Sequence, residues 1–336
     1  MSDVNTVSFS DLVRLAPFKW TEALNSISQN ARNSGLFKVT AWEAGTGDTY
    51  ELTSVNLEEY ASIKDESDQA ETARFQQGYP KTIGLRRFGK DISVSWETRR
   101  RNKYDTVLQQ ITDLGTMLAK RMDLDLSHRI TFGTATSYVD KDGRTVDTSV
   151  GDALALFSTA HLIKGSATTF RNRLANNPQL SRGSLEGMEK MAVENTINEF
   201  GEKMALEHDI LFTTDDPNTV NTARELLQAT SKISAPNEGV PNVNQAKYKH
   251  VRLPRVATTA AGLVDSTKAK YWGIASSAKS SAMLRIEQEP ALNVPTDTSN
   301  ATDVSTEDRT FTARGSWSIG IKDANWIKFS DGLGTA

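Results

Sequence analysis

The chain of 336 residues contains no cysteine. Disulfides, thiolate metal sites and cysteine nucleophiles are excluded together. No apolar run approaches the ~18 residues that a membrane-spanning helix needs. The start, Met1-Ser2-Asp3-Val4-Asn5, lacks the basic-then-apolar layout of a signal peptide. Histidine is scarce: His128, His161, His208 and His250 are scattered, without the spacing of a ligand pair. There is no Gly-x-Ser-x-Gly elbow and no glycine-rich phosphate loop, so hydrolases and nucleotide enzymes lack support. A large excess of one charge is missing too. The 39 Lys and Arg against 42 Asp and Glu leave a net charge of −3, where a dedicated nucleic-acid binder is strongly basic. A weakly negative wall can still enclose DNA, because a container gains nothing from gripping its contents.

What the chain does have is one long helical pattern. Tyr104, Val107, Leu108, Ile111, Leu114, Leu118, Met122, Leu126 and Ile130 recur at helical spacing. Asp105, Gln109, Asp113, Lys120, Asp123 and Arg129 are expected on a solvated opposite face. Gly133 reads as the stop. A helix over 104–132 would span roughly 40 Å, long enough to be a spine. Gly115 in its middle weakens it by ~1 kcal/mol relative to Ala and marks a place where another backbone can approach.

Ahead of that helix the pattern changes. Ser10 caps an expected short helix over Asp11 to Leu15, Pro17 interrupts it, and a second helix runs from Thr21 to about Arg32, ending at Gly35. Phe9, Leu12, Val13, Phe18 and Trp20 are much apolar surface for a terminal arm. It packs either on its own domain or across a partner. From Phe37 to Lys103 the signals are extended: Ile83 and Leu85 alternate with polar residues, as do Ile92, Val94 and Trp96. Arg86 to Lys90 reads as a turn between them. Ser54 to Pro80 is polar and poor in core residues, the mark of a two-stranded excursion. A lone hairpin is marginal in water, so it needs a surface to lie on.

Charge is segregated along this excursion. Glu58, Glu59, Asp65, Glu66, Asp68 and Glu71 precede Arg74, Lys81, Arg86, Arg87, Lys90, Arg99, Arg100, Arg101 and Lys103. The two sides neutralise each other, or each docks on an oppositely charged patch of a neighbour and sets its register. A phosphate-binding cluster at Arg99 to Arg101 lacks interleaved aromatics and is the weakest reading.

Beyond the spine, the Asp142-Gly143 step between Tyr138-Val139 and Thr145-Val146 reads as a hairpin; the later ligands of a calcium loop are missing. Helices from Ser184 and over Thr219 to Ala229 alternate with strands at Asp209 to Thr213, His250 to Val256 and Ala269 to Ala275, as in a compact α/β unit. Asp215-Asp216 with Pro217 reads as a helix cap. Pro290 to Asp308 is expected to be loop. Phe311, Ala313, Trp317, Ile319 and Ile321 then alternate as a strand that pairs into a sheet begun much earlier.

The stretch Ala153-Leu154-Ala155-Leu156-Phe157-Ser158-Thr159-Ala160-His161, with Asn172-Arg173-Leu174-Ala175, Leu180-Ser181 and Ser184-Leu185-Glu186, resembles the major capsid proteins of tailed phages. So do Asp209 to Thr213 with Pro217, Ala223-Arg224-Glu225-Leu226-Leu227, and Phe311 to Gly320. The likeness is to the Mu-type major head subunit branch of the Hong Kong 97 fold and covers roughly residues 80 to 330. It implies an α+β chain with an N-terminal arm over 1–36 and an E-loop with its flanking strands over 37–103. A P-domain with the spine helix follows over 104–183, an A-domain over 184–280, and C-terminal strands returning to the P-domain over 281–336.

The resemblance further implies a structural protein, not an enzyme, with no cofactor. Its copies would form hexamers and pentamers of an icosahedral phage head, built in the bacterial cytoplasm. Partners would be a portal protein, separate scaffold and decoration proteins where present, and packaged double-stranded DNA held weakly and without sequence specificity; no membrane is involved. Candidate inter-subunit residues are Phe9, Trp20, Glu58, Glu59, Arg74, Lys81, Arg86 and Arg87, with Gly115 a candidate bend in the spine. A cleaved leading scaffold segment, found in many relatives, is not expected here. Nor is cross-linking expected from Lys64, Lys81 or Lys90, since nothing sets a partner asparagine beside them. An encapsulin-like cargo shell and a soluble α/β enzyme are the competing readings.

Overall fold

The computed structural model describes residues 9–26, 29–43, 47–53, 55–56, 60–61, 63–70, 72, 76–101, 104–198, 200–231, 241–295 and 308–334. The chain opens with helix α1 (Phe9–Ser26). It is one helix, not the expected two: it runs through Pro17. Pro costs about 3 kcal/mol inside a helix, but Leu12, Ala16, Trp20 and Ala23 are buried along one side of α1. At about 1.5–3 kcal/mol for each large apolar side chain fully buried, docking outweighs the break. A 3-10 turn (Arg32–Ser34) and Gly35, at φ 86°, then turn the chain into β1 (Lys38–Ala41).

Strands β2 (Thr49–Leu52), β3 (Val55–Asn56), β4 (Gln76–Gln77) and β5 (Lys81–Gly84) follow, then β6 (Arg86–Val94). β2 pairs antiparallel with β5, and β3 with β4, so the chain between them is a two-stranded excursion as expected. The turn expected at Arg86 to Lys90 is instead the first half of β6. Its charges fit an edge strand, where one row of backbone groups faces water. Ser95 caps the short helix α2 (Trp96–Arg100) by accepting from the Thr98 amide at 3.3 Å.

Helix α3 (Tyr104–Thr131) is the spine. At 1.5 Å per residue its 28 residues span roughly 42 Å. Its apolar face is buried as expected, but its opposite face is solvated only as far as Lys120. Asp123 and Arg129 are buried. Asp123 accepts from the Ala31 amide at 2.8 Å and pairs with Arg255. Arg129 donates to the Asp147 carbonyl. The helix ends just before Gly133, which is required for room rather than for a left-handed cap: a Cβ there would lie 2.6 Å from the Phe157 ring.

Next come the hairpin β7 (Ser137–Val139) and β8 (Thr145–Asp147) and the short pair β9 (His161–Leu162) and β10 (Thr169–Phe170). Helix α4 (Arg182–Glu194) is capped by Ser181 in a reciprocal box with Ser184. β11 (Ile210–Thr213) is followed by α5 (Pro217–Gln228), capped by Asp216, then by β12 (Lys249–Arg252) and β13 (Trp272–Ala275). The last strands are β14 (Ala282–Asn293), β15 (Arg309–Ile321) and β16 (Ile327–Ser330).

Two four-stranded sheets organise these elements. One has the order β1-β14-β15-β6, the other β12-β11-β13-β16. Two expectations change here. Residues 290–293, expected as loop, continue β14 beyond register shifts between Ile286 and Ala291, where a proline is tolerated. And the C-terminal strands do not return together: β14 and β15 join the first sheet, while β16 pairs with β13 in the second, Phe329 opposite Gly273. That glycine admits the strand, since a Cβ would meet the Lys328 carbonyl and the Phe212 ring.

Among the described residues the core has three parts. The largest lies between the lower half of α3 and both sheets, around Met122, Leu126, Phe157, Phe212, Trp317, Trp326 and Phe329. A second packs α4 and α5 on the second sheet through Leu185, Met188, Leu211 and Trp272. The third joins α1 to the upper half of α3 and to Val94 and Phe311.

Candidate assembly surfaces

Beyond β3 and β4, the described residues of the excursion have little packing of their own. Every residue from Ile63 to Ala70 is exposed. Ile63 is 98% exposed and Tyr60 76%. Scattered exposed apolar residues are ordinary, but two large ones on one arm outside the core need another surface to be buried.

The base of the arm, by contrast, is fixed. Arg86 at the start of β6 pairs with Asp140 at 2.6 Å. Asp140 also takes Arg121 at 3.1 Å, and Arg121 takes Asp125 one turn further along α3 at 3.0 Å. The other Asp140 oxygen accepts the amides of Asp142 and Arg144 in the β7–β8 turn at 2.9 and 3.0 Å. Burial raises the Asp140 pKa, but those amides and the Arg86 guanidinium outweigh it and hold the carboxyl at about 2. One carboxylate thus locks the arm, the spine and the hairpin together. Phe88 stacks on Trp317 at 4.1 Å beside this network, with the Arg86 and Arg121 guanidinium groups against its ring.

The expected contact residues divide accordingly. Lys81 is buried and pairs with Asp147 at 2.5 Å; Arg86 is engaged as described; both are spent within the chain. Arg87 is exposed and pairs with Asp48 at 3.0 Å on the neighbouring turn. Trp20 is 5% exposed and faces Gly115 of α3, where an added Cβ would stand 3.1 Å from its ring. The arm's first helix therefore packs on its own domain, and Gly115 is where the two helices approach. Glu58, Glu59 and Arg74 lie outside the described residues, as does the side chain of Phe9. Glu58, Glu59 and Glu71 of the expected acidic side lie outside the described residues. Lys81 and Arg86 pair with Asp147 and Asp140 beyond the spine, and Arg87 with Asp48 across the hairpin base.

A groove of about 730 Å³ beside β6 and α3 is lined by Arg87, Lys90, Lys120 and Arg144, with Phe88 and Met117 on its floor. Phe18 of α1 is 74% exposed. The Arg121–Asp125 pair was visible as an i, i+4 spacing; the groove was not, because its walls come from segments far apart in sequence.

His161 has both ring nitrogens engaged, by Asp152 at 2.8 Å and the Leu156 carbonyl at 3.2 Å. Burial, reinforced by nearby Arg121, Lys268 and Arg129, lowers His128 to about 4. Among the described residues no group of three or more His, Asp or Glu side chains could hold a metal ion, and no helix is long and apolar enough to cross a membrane.

No family model matches the chain, and no curated protein matches it. Solved structures do. The capsid structure of the cyanophage P-SCSP1u is similar over 90% of this chain and 86% of that chain, at 14% identity and a TM-score of 0.51. Gordonia phage Cozz is similar over 90% of this chain and 89% of that chain, at 14% identity and a TM-score of 0.47. The capsid of the native GTA particle covers 90% of each chain at 12% identity, with a TM-score of 0.47. At such identities the likeness is one of fold. The chain has the α+β fold of a phage capsid subunit, the Hong Kong 97 type.

Proposed function

We propose that this protein is the major capsid subunit of a tailed bacteriophage, a structural protein whose copies close into the icosahedral head around double-stranded DNA. One observation carries the reading: an arm bearing Ile63 and Tyr60 stands outside the core of a chain with a capsid fold. The arm is the E-loop, α3 the spine, and the unit around the second sheet the A-domain that meets its copies in pentamers and hexamers. Each contact can be weak, because many per subunit act together at high effective concentration. A portal protein, separate scaffold or decoration proteins and the packaged genome are the further partners. The net charge of −3 suits a wall that holds DNA without gripping it.

Electron microscopy and light scattering of the overexpressed protein test this. Closed particles are expected, and deletion of residues 57–75 is expected to leave a folded subunit that no longer closes. A full-length chain that stays monomeric at micromolar concentration, or particles filled with an enzyme instead of DNA in infected cells, would overturn it.

A further inference from the structure

Most cations in the interior of this protein are answered by a carboxylate. Arg121 has Asp125 and Asp140, Arg86 has Asp140, Lys81 has Asp147, and Arg255 has Asp123. Arg129 is different. It is 7% exposed, its Nη1 donates to the Asp147 carbonyl, and its Nε is buried with no hydrogen-bond partner. No carboxylate among the described residues pairs with it. Asp125 is spent on Arg121 and on the Trp317 indole, which donates at 3.3 Å. Asp125 and Asp147 lie near enough to favour the Arg129 charge, but burial outweighs them. Burial pushes the Tyr138 phenol up to about 12, so it stays protonated. A guanidinium does not give up its proton in a protein, and an unanswered buried charge is costly.

Arg129 lines a cavity of about 290 Å³ between β5, the β7–β8 hairpin, the end of α3 and β15. Lys81, Arg86 and Arg144 line it too, against the single carboxylate of Asp147. Arg144 is exposed and has no ion pair among the described residues. Two guanidinium groups with no carboxylate paired to them among the described residues, one buried and one exposed, thus share a cavity with two further cations. Guanidinium forks match the paired oxygens of phosphate and carboxylate.

We propose that this cavity is an oxyanion site, in which Arg129 and Arg144 hold a phosphate or carboxylate group. The group comes either from a free anion or from an acidic side chain of a second copy.

Titration of isolated subunits with inorganic phosphate, against chloride at matched ionic strength, tests the site without requiring any shell to form. A saturable rise in melting temperature is expected. Arg144→Gln should weaken phosphate binding by about tenfold or more, and Arg129→Met should abolish it. Arg87→Ala, exposed and outside the cavity, should change nothing. If Arg129→Met fails to fold, Arg144→Gln against Arg87→Ala decides alone. No saturable phosphate response, or equal weakening by Arg87→Ala, would overturn the site. Binding that persists in assembled particles supports a free anion. Binding confined to subunits, with assembly slowed by phosphate, supports a carboxylate from the neighbouring copy.

Discussion

The Asp140 carboxylate receives Arg86 at 2.6 Å and, through the same oxygen, Arg121 at 3.1 Å. The base of the exposed arm and the middle of the spine are therefore held by one acidic side chain from a hairpin turn. A force on the arm reaches the spine through this point.

The first prediction concerns that carboxylate. Its pKa is about 2 in the folded chain against an ordinary 3.8. A depressed acid stabilises the fold above the ordinary value and loses that contribution as pH falls through the folded one. Asp140→Asn keeps the oxygen that caps the turn but loses the charge. It should cost about 2 kcal/mol at pH 6, with the gap to wild type closing between pH 4 and 2. Denaturant unfolding of the subunit across that range measures it.

Lys328 makes the opposite case. It is fully buried in β16, and among the described residues its Nζ donates to the Asn195 carbonyl at 3.2 Å. Burial lowers its pKa to about 8 from 10.5, with Asp323 opposing the shift. The unfolded chain binds the extra proton between those values, so stability rises with pH from 8 to 10.5. Lys328→Met fills a similar volume without the charge and should stabilise the subunit by on the order of 2 kcal/mol at pH 7. That advantage should vanish above pH 10.5. A melting-temperature series from pH 7 to 11 checks both.

Gly115 carries two demands that separate by substitution. An alanine Cβ would lie 3.1 Å from the Trp20 ring and 3.3 Å from Ala23, while the helix gains ~1 kcal/mol in propensity. Gly115→Ala should therefore stay within about 1 kcal/mol of wild type. Gly115→Leu should cost about 1–3 kcal/mol by overpacking and strip hydrogen-exchange protection from α1. If Gly115 is also a bend, Gly115→Ala would block expansion of assembled shells; unchanged expansion would leave packing as its whole role.

How far the sequence reached depends on whether a contact is local. The spine, the hairpin at Asp142-Gly143 and the Asp216 cap rest on spacing within one segment, and the structure has all three. Pro17 misled because a local penalty was outweighed by docking on α3, a contact nearly a hundred residues away in sequence. Asp123 and Arg129 misled for a related reason. Helical periodicity separates faces, but beyond Lys120 no residue of α3 is exposed, with Ala31, Arg255 and Asp147 among its partners there. The split of the last strands between two sheets had no local sign, since β15 and β16 both alternate apolar with polar residues.

The last prediction separates folding from assembly. Ile63 is 98% exposed and contributes nothing to the subunit's own core. Ile63→Asp should leave subunit stability within about 0.5 kcal/mol of wild type, as surface changes away from special features do. If the arm is buried on a neighbouring copy, the same change places a charge in that contact, where an unpaired buried carboxylate is expensive. The loss recurs at every subunit of the shell, so a small penalty per contact becomes a large shift in the concentration at which particles form. Light scattering against concentration should show that threshold rise at least tenfold, with the melting temperature of the subunit unmoved. Ile63→Val, which keeps the apolar character, should restore the threshold; a charged variant that assembles as readily as wild type would mean that the arm tip stays in solvent in the particle too.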